Sequence, residues 1–156
     1  MMAQQLDNRP LKRRELPEAI DFIAAQVDRL SAISSDTFTP FGLVDQMLDD
    51  IPSEFFCDKD KTFLEPSCGR GIFGLMLLKR LFAGLADSIP DEQERIEHIL
   101  NKQIFMADKS NVMRDITKAA FVRVLRLAGF KNVKINLKNV EWLRHNHGKQ
   151  FDVIIV

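Results

Sequence analysis

The sequence contains little cysteine and no excess of charge of either sign. Only two cysteines occur among 156 residues, Cys57 and Cys68, and neither has a His or Cys partner at metal-ligand spacing. This usage argues against a disulfide framework and indicates free thiols in a reducing, cytoplasmic setting. Lysine plus arginine equal aspartate plus glutamate at 22 each, so no strong positive field marks the chain as a nucleic-acid binder by charge alone.

Long apolar runs, internal repeats and low-complexity tracts are also absent. The apolar run at Leu75 to Leu78 ends at Lys79 and Arg80, and residues 1–10 are polar. These features argue against a membrane span and against a signal peptide. The composition that remains is 46% hydrophobic and 28% charged, as in soluble globular proteins. The length is typical of one domain with a single core.

Helical periodicity and short apolar runs alternate along the chain. Apolar residues at three- and four-residue spacing predict helices over residues 15–33, from near 40 to 48, over 72–86 and over 110–127. Short apolar runs predict strands over 62–65, 104–107, 133–137 and 151–156, the last of them buried. The charged residues 88–102 are expected to form an inserted surface helix. This alternation predicts an α/β fold with a mostly parallel sheet, right-handed crossovers and helices on both faces.

A glycine loop stands between the first predicted strand and the helix that follows it. It contains Gly69 and Gly71, which permit backbone angles closed to other residues and allow a ligand to approach the main chain. In dinucleotide-binding proteins the helix N-terminus faces a pyrophosphate, which Glu65 at the entrance of this loop would repel. A carboxylate there suits a ligand with an ammonium or sulfonium end, and this favours S-adenosylmethionine over NAD. A purely structural turn remains the alternative.

Asp108 follows the second predicted strand directly. A nucleotide-type ligand lying across the strand ends would present its ribose hydroxyls to a carboxylate at this position. In nucleotide-binding βαβ units the acidic residue usually lies roughly 20 residues after the glycine loop. The separation of Asp108 from Gly71 is longer, and the inserted residues 88–102 account for the excess. Taken alone, Asp108 is explained equally well as a turn residue or helix N-cap.

Several motifs occur in an order found in one enzyme family. They are Thr39-Pro40, Glu65-Pro66-Ser67-Cys68-Gly69-Arg70-Gly71, Asp108, Asn139-Val140, and the run Phe151 to Val156. Together they resemble the S-adenosylmethionine-dependent amino-methyltransferases of restriction–modification systems, in the group that methylates the exocyclic amine of adenine in DNA. The similarity covers residues 37–156 and implies a Rossmann-like methyltransferase sheet, incomplete at the C-terminus. Residues 1–36 are then an N-terminal helical segment.

The resemblance also implies which residues bind the cofactor and which are missing. Thr39 and Pro40 would contact the methionine part of the cofactor, and Asp108 would bind the ribose. Lys109 would lie beside the adenine ring, Asn139 would bond the edge of the ring, and Val140 would pack on its face. The amino-acid end would be held by Glu65, Pro66, Ser67, Cys68, Gly69 and Gly71. At the position of Asn139 the family more often has aspartate. In the family, the strand matching residues 151–156 leads into the catalytic Asn-Pro-Pro-Tyr. Because this element does not occur in the sequence, we expect no catalytic residue here and no DNA methylation by this chain alone.

The resemblance implies two partners. One is DNA, bound through regions absent from this chain, and the other is a restriction or specificity subunit. Three alternatives remain open: a methyltransferase acting on RNA or protein glutamine, a non-catalytic cofactor-binding module, and an NAD oxidoreductase. His145-Asn146-His147 spells a nuclease-like triplet. In that class of metal site the matching residues are spread through the fold, so a polar loop without a metal is the expectation.

Overall fold

The computed structural model describes residues 13–31, 39, 41–138 and 150–155. The α-helices in this part of the chain are α1 (Leu16–Ser31), α2 (Phe41–Leu48), α3 (Ile72–Gly84), α4 (Glu92–His98) and α5 (Asn111–Leu127). The strands are β1 (Phe63–Glu65), β2 (Ile104–Ala107), β3 (Leu137–Lys138) and β4 (Val153–Ile154). A 3-10 helix spans Ser53–Cys57, and a π-helix, Ile99–Gln103, continues α4. None of these helices is long and apolar enough to cross a bilayer.

The strands form a parallel sheet in the order β3-β2-β1-β4. Phe63 of β1 is in register with Ile104 of β2 on one side and with Val153 of β4 on the other. From β1 the chain moves outward through β2 to β3, whereas β4 lies on the opposite side of β1. This reversal makes a switch point between β1 and β4, where open α/β sheets form a crevice beyond the carboxyl ends of their strands.

Helices pack around this sheet as the sequence predicts. Helix α1 contacts both α3 and α5, and α2 contacts α3. The main core cluster includes the strand residues Phe63, Ile104 and Met106, which alternate with Leu64 and Phe105 on the other sheet face. The prediction of an α/β fold is therefore confirmed: the described residues form a partial Rossmann-like fold, with a parallel sheet and helices around it.

Both ends of α5 have capping residues. The Ser110 hydroxyl accepts a hydrogen bond from the Met113 backbone N–H at 3.2 Å, which satisfies one free amide of the first turn. Gly129 follows the helix with φ +80°, and the Phe130 N–H donates to the Leu125 carbonyl oxygen at 2.9 Å. This closure needs a left-handed residue, which glycine adopts without a steric penalty.

Within the charged residues 88–102 the chain is helical from Glu92 onward, but the prediction of a surface helix is wrong for one side of this helix. Arg95, Ile96, Ile99 and Leu100 are all buried. The Arg95 guanidinium donates to three backbone carbonyl oxygens, at 2.8 to 3.0 Å. Because its donors are satisfied in this way, an arginine is accommodated in the interior, and the insertion contributes to the core.

The two outer strands are shorter than predicted. Alternation predicted a strand over 133–137, whereas pairing begins only at Leu137. The run 151–156 pairs parallel to β1 as predicted, but only over Val153–Ile154, and its predicted burial is wrong because Ile154 is 53% exposed. Strand β1 has three residues and offers few partners, and β4 is the outermost strand on its side of the described sheet.

Candidate cofactor-binding site

An open cavity of about 770 Å³ lies where the carboxyl ends of β1, β2 and β4 meet. This volume falls within the roughly 300 to 1,000 Å³ range of small-molecule pockets. The loop after β1, the residues that follow β2, and Ile155 after β4 all line the cavity. The cavity therefore occupies the switch point, which is the ligand position general to open α/β sheets.

The structure brings together most of the residues that the sequence singled out. Nine of the predicted cofactor-binding residues lie in the described part of the chain, and eight of these line the cavity: Thr39, Glu65, Pro66, Ser67, Cys68, Gly69, Asp108 and Lys109. The ninth, Gly71, is buried behind the loop at the start of α3. Pro40, Asn139 and Val140 lie outside the described residues, as do His145 and His147.

Glu65 is the last residue of β1, and its side chain is only 6% exposed. A hydrogen bond from the backbone N–H of Gly74, in the first turn of α3, reaches its carboxylate. The second carboxylate oxygen, Oε2, is buried and has no hydrogen-bond partner. Burial raises the Glu65 pKa well above its ordinary value; the Gly74 hydrogen bond opposes this, and the nearby Asp108 carboxylate adds to it.

This placement decides what the start of α3 can bind. Free amides at a helix N-terminus usually attract an anion such as a pyrophosphate. Here the Glu65 carboxylate already accepts one of those amides, the N–H of Gly74, and its Oε2 has no donor of its own. A buried acceptor without a partner is unfavourable by about 1–3 kcal/mol. The site is therefore suited to a ligand that brings a cationic donor rather than a phosphate.

Asp108 is buried at the end of β2 and connects two elements of the site. Its Oδ2 accepts the Gly69 backbone N–H at 3.0 Å, and its Oδ1 accepts the Ser110 N–H at 2.9 Å. The turn role that the sequence left open is thus present. A carboxylate has about four acceptor positions, so each oxygen keeps capacity for a ligand hydroxyl. The ribose contact remains a prediction that this geometry permits.

The glycine loop is held by hydrogen bonds within the protein. Gly69 and Gly71 have φ of +54° and +89°, the left-handed region that glycine tolerates. The Cys68 N–H donates to the Ala107 carbonyl oxygen at 2.9 Å, and the Gly71 N–H donates to the Cys68 carbonyl oxygen at 2.8 Å. Because the amides of both glycines have partners in the protein, the loop offers a ligand a close main-chain surface rather than these two donors.

Another part of the cavity wall comes from α2 and from Thr39, shortly before it. Thr39 and Met47 both line the cavity. Helix α2 is fixed against α3 by Arg80, whose guanidinium donates to the carboxylates of Asp45 at 2.9 Å and Asp49 at 2.8 Å. Thr39, remote in sequence from the glycine loop, lines the same cavity as that loop.

Sequence reasoning missed several apolar residues of the cavity wall. Phe73, Met113 and Ile155 line it, as does Met47 of α2. Phe73 and Met113 each lie in the first turn of a helix that follows a strand of the site. That position was the available signal, because first turns after such strands border the crevice.

Cys68 is the cysteine among the cavity-lining residues, and its side chain is buried. Burial raises the pKa of the Cys68 thiol to about 12, so it stays protonated at neutral pH. Among the described residues, no group of three His, Cys, Asp or Glu side chains is placed to hold a metal ion.

The chain has a partial sequence similarity to a known protein. No protein-family model matches the chain. The chain is similar to an uncharacterized adenine-specific methylase of Mycoplasma pneumoniae, with 32% identity over 101 residues, which is 60% of this chain and 24% of that protein. It therefore spans about a quarter of the relative's length. This likeness supports a methyltransferase domain, of which the described residues form the part that contains the cavity.

Proposed function

We propose that the cavity binds S-adenosylmethionine and that the protein transfers the methyl group to the exocyclic amine of adenine in DNA. The observation that carries the proposal is Glu65, a buried carboxylate with one unpartnered oxygen in the wall of a pocket at the sheet switch point. The α-ammonium of the cofactor would supply the missing donor, and a charge-assisted hydrogen bond of this kind is about twice as strong as a neutral one.

The other residues of the site fit the rest of the cofactor. Asp108 stands at the end of β2 with acceptor capacity for ribose hydroxyls, and exposed Lys109 follows it beside the expected adenine position. Thr39 lies in the wall expected to contact the methionine part, along with Met47. Acidic groups at two adjacent strand ends, with apolar walls between them, match a ligand that has one cationic end and one hydroxyl-bearing sugar.

When bound, S-adenosylmethionine supplies an electrophilic methyl group attached to a sulfonium. Methyl transfer is a direct displacement, so the protein's task is to align the nucleophile and stabilise developing charge. Glu65 and Asp108 would anchor the two ends of the cofactor and so fix the direction of the methyl group. An adenine amine reaches such a site only when the base is turned out of the duplex. The Asn-Pro-Pro-Tyr expected to hold that base does not occur in these 156 residues.

The choice of adenine in DNA as acceptor rests on two supports. One is the Thr39-Pro40 element ahead of the glycine loop, and the other is the likeness to an adenine-specific methylase. A restriction or specificity subunit is the partner that a restriction–modification role would require. Methyltransferases for RNA or protein glutamine are the second candidate, because their glycine loop is similar. A non-catalytic cofactor-binding module is the third.

Calorimetric titration of the 156-residue chain tests the cofactor. We expect S-adenosylmethionine to bind more tightly than 5′-methylthioadenosine, which lacks the ammonium and carboxylate, and NAD to bind weakest because Glu65 repels its pyrophosphate. Circular dichroism verifies that the sample is folded. No heat with S-adenosylmethionine from a folded sample, or preference for NAD, would refute the cofactor assignment.

The acceptor needs a separate experiment. The full-length natural protein is incubated with radiolabelled S-adenosylmethionine and, in parallel, with adenine-containing duplex DNA, RNA, and a glutamine-containing peptide. Label on the N6 amine of adenine in DNA is the expected result. Label in RNA or peptide alone would replace DNA with that acceptor, and cofactor binding without label anywhere would favour the non-catalytic module.

A further inference from the structure

Thr117 of α5 lies directly against the glycine loop, although the sequence pattern shows only an ordinary helix residue there. The side chain is completely buried, with 0% exposure. Its hydroxyl donates to the Gly69 carbonyl oxygen at 2.7 Å, and the same Oγ1 lies 3.6 Å from the Cys68 thiol sulfur. A buried polar side chain needs hydrogen-bond partners, and those of Thr117 lie in the glycine loop.

Gly69 is consequently held from both sides. Asp108 accepts its N–H at 3.0 Å, and Thr117 donates to its carbonyl oxygen at 2.7 Å. Both partners belong to the segment formed by β2 and α5, so the orientation of this peptide is set from outside the loop. With its hydroxyl committed to Gly69, Oγ1 can accept from the Cys68 thiol, which extends the chain of hydrogen bonds to the residue before.

The methyl group of Thr117 contacts the other glycine of the loop. A Cβ added to Gly71 would lie 2.9 Å from Thr117 Cγ2, closer than carbon atoms tolerate. The β-branched side chain has one or two allowed rotamers in a helix, so its hydroxyl and methyl are presented in a fixed relation. Thr117 therefore fills the space behind Gly71 while it holds Gly69.

We propose that Thr117 is a positioning residue for the cofactor site, because its hydroxyl fixes the peptide of Gly69 in the form that accepts the ligand. This inference deepens, and rests on, the proposed binding of S-adenosylmethionine. Without the hydroxyl the Gly69 carbonyl loses a buried donor, and the loop gains conformations that do not match the ligand. Each such conformation reduces the fraction of binding-competent molecules and hence the apparent affinity.

Two substitutions separate the hydroxyl from the packing. Thr117→Val keeps the shape and removes the donor, while Thr117→Ser keeps the donor and removes the methyl. The matched control is Val124→Ala, which truncates another fully buried residue of α5. We expect Thr117→Val to weaken S-adenosylmethionine binding roughly tenfold, the equivalent of one hydrogen bond. Thr117→Ser should stay within about threefold of the wild type, and Val124→Ala should lower the unfolding midpoint without weakening binding.

Amide hydrogen exchange of the ligand-free chain gives a readout that does not depend on the cofactor. Thr117→Val should speed exchange at Gly69 and Gly71 relative to the strand amides of β2, and Thr117→Ser should not. Faster loop exchange together with tenfold weaker binding upholds the proposal. Unchanged exchange and affinity in Thr117→Val would overturn it, as would an equal loss of affinity in Val124→Ala. If the wild type does not bind S-adenosylmethionine, the proposed function fails, and loop exchange alone decides whether Thr117 positions the loop.

Discussion

Replacement of Glu65 by glutamine tests the ionic anchor of the site. Glu65→Gln keeps the shape and size of the side chain but removes the negative charge from a residue that is 6% exposed. A hydrogen bond to a charged group contributes about 1.5–3 kcal/mol, so S-adenosylmethionine should bind roughly 10- to 150-fold more weakly. Glu54→Gln is the matched control, because Glu54 is exposed in the 3-10 helix and does not line the cavity.

The affinity of the wild type should also depend on pH through Glu65. Burial raises the Glu65 pKa above its ordinary value of 4.5, so the free protein holds this proton to a higher pH than an exposed glutamate does. A cationic ligand stabilises the carboxylate, and binding therefore releases the proton. Affinity should rise with pH from the ordinary value through the raised one, and Glu65→Gln should lose this dependence. Calorimetry in two buffers of different ionisation enthalpy measures the protons released.

The stability of the ligand-free chain depends on pH in the opposite direction to the affinity. Between the ordinary and the raised pKa, folded protein binds more protons at Glu65 than unfolded protein does, so the Glu65 contribution to the unfolding free energy falls as pH rises. That contribution is complete below the unfolded-state pKa and absent above the folded-state pKa. Glu65→Gln should flatten the slope seen in urea unfolding. Wild-type affinity in Glu65→Gln, or wild-type affinity that falls as pH rises from 5 to 7, would refute the pairing of Glu65 with the ammonium.

Three further outcomes follow from packing and burial. Gly84→Ala should destabilise the fold by about 1–3 kcal/mol in urea unfolding, because an added methyl group must displace its neighbours. The new Cβ would lie 2.2 Å from a backbone carbonyl oxygen of the 3-10 helix. Gly42→Ala is the control and should be neutral or stabilising, because the space around Gly42 is open. Arg95→Leu should lower the unfolding free energy by about 2–4 kcal/mol, since three backbone carbonyl oxygens, two of them in buried contacts, lose their donor. An unchanged urea midpoint would contradict that role. Cys57 is exposed and should react with a thiol reagent quickly, while buried Cys68, with a pKa of about 12, should react only on unfolding; two equally fast thiols would show that the loop is open.

Much of the fold follows from local signals in the sequence. The apolar spacing over residues 15–33 and 110–127 predicted helices close to the observed α1 and α5. Hydrogen bonds and burial in these elements depend on near neighbours, so the pattern contains the necessary information. The strand over 104–107 was predicted with its observed bounds for the same reason, because an apolar run between polar ends is visible in the sequence.

The features that the sequence did not predict depend on contacts between residues far apart in the chain. The ends of β3 and β4 depend on how many residues of a neighbouring strand are available, and alternation within one strand does not contain that number. The buried side of the insertion at 88–102 was missed because Arg95 reads as a surface residue until the carbonyl groups around it are known. A charged side chain becomes a core residue only when its donors find partners in three dimensions.

By itself, the sequence determined the kind of site: a glycine loop with Glu65 at its entrance and Asp108 after the next strand. These features are local, since residue type and spacing from a strand end specify them. Only the tertiary structure decided that Thr117 and Asp108 hold the two sides of Gly69, and that the second oxygen of Glu65 is buried without a partner. Those properties depend on where α5 packs against the loop, and such packing joins residues about 50 positions apart through contacts that no local pattern encodes.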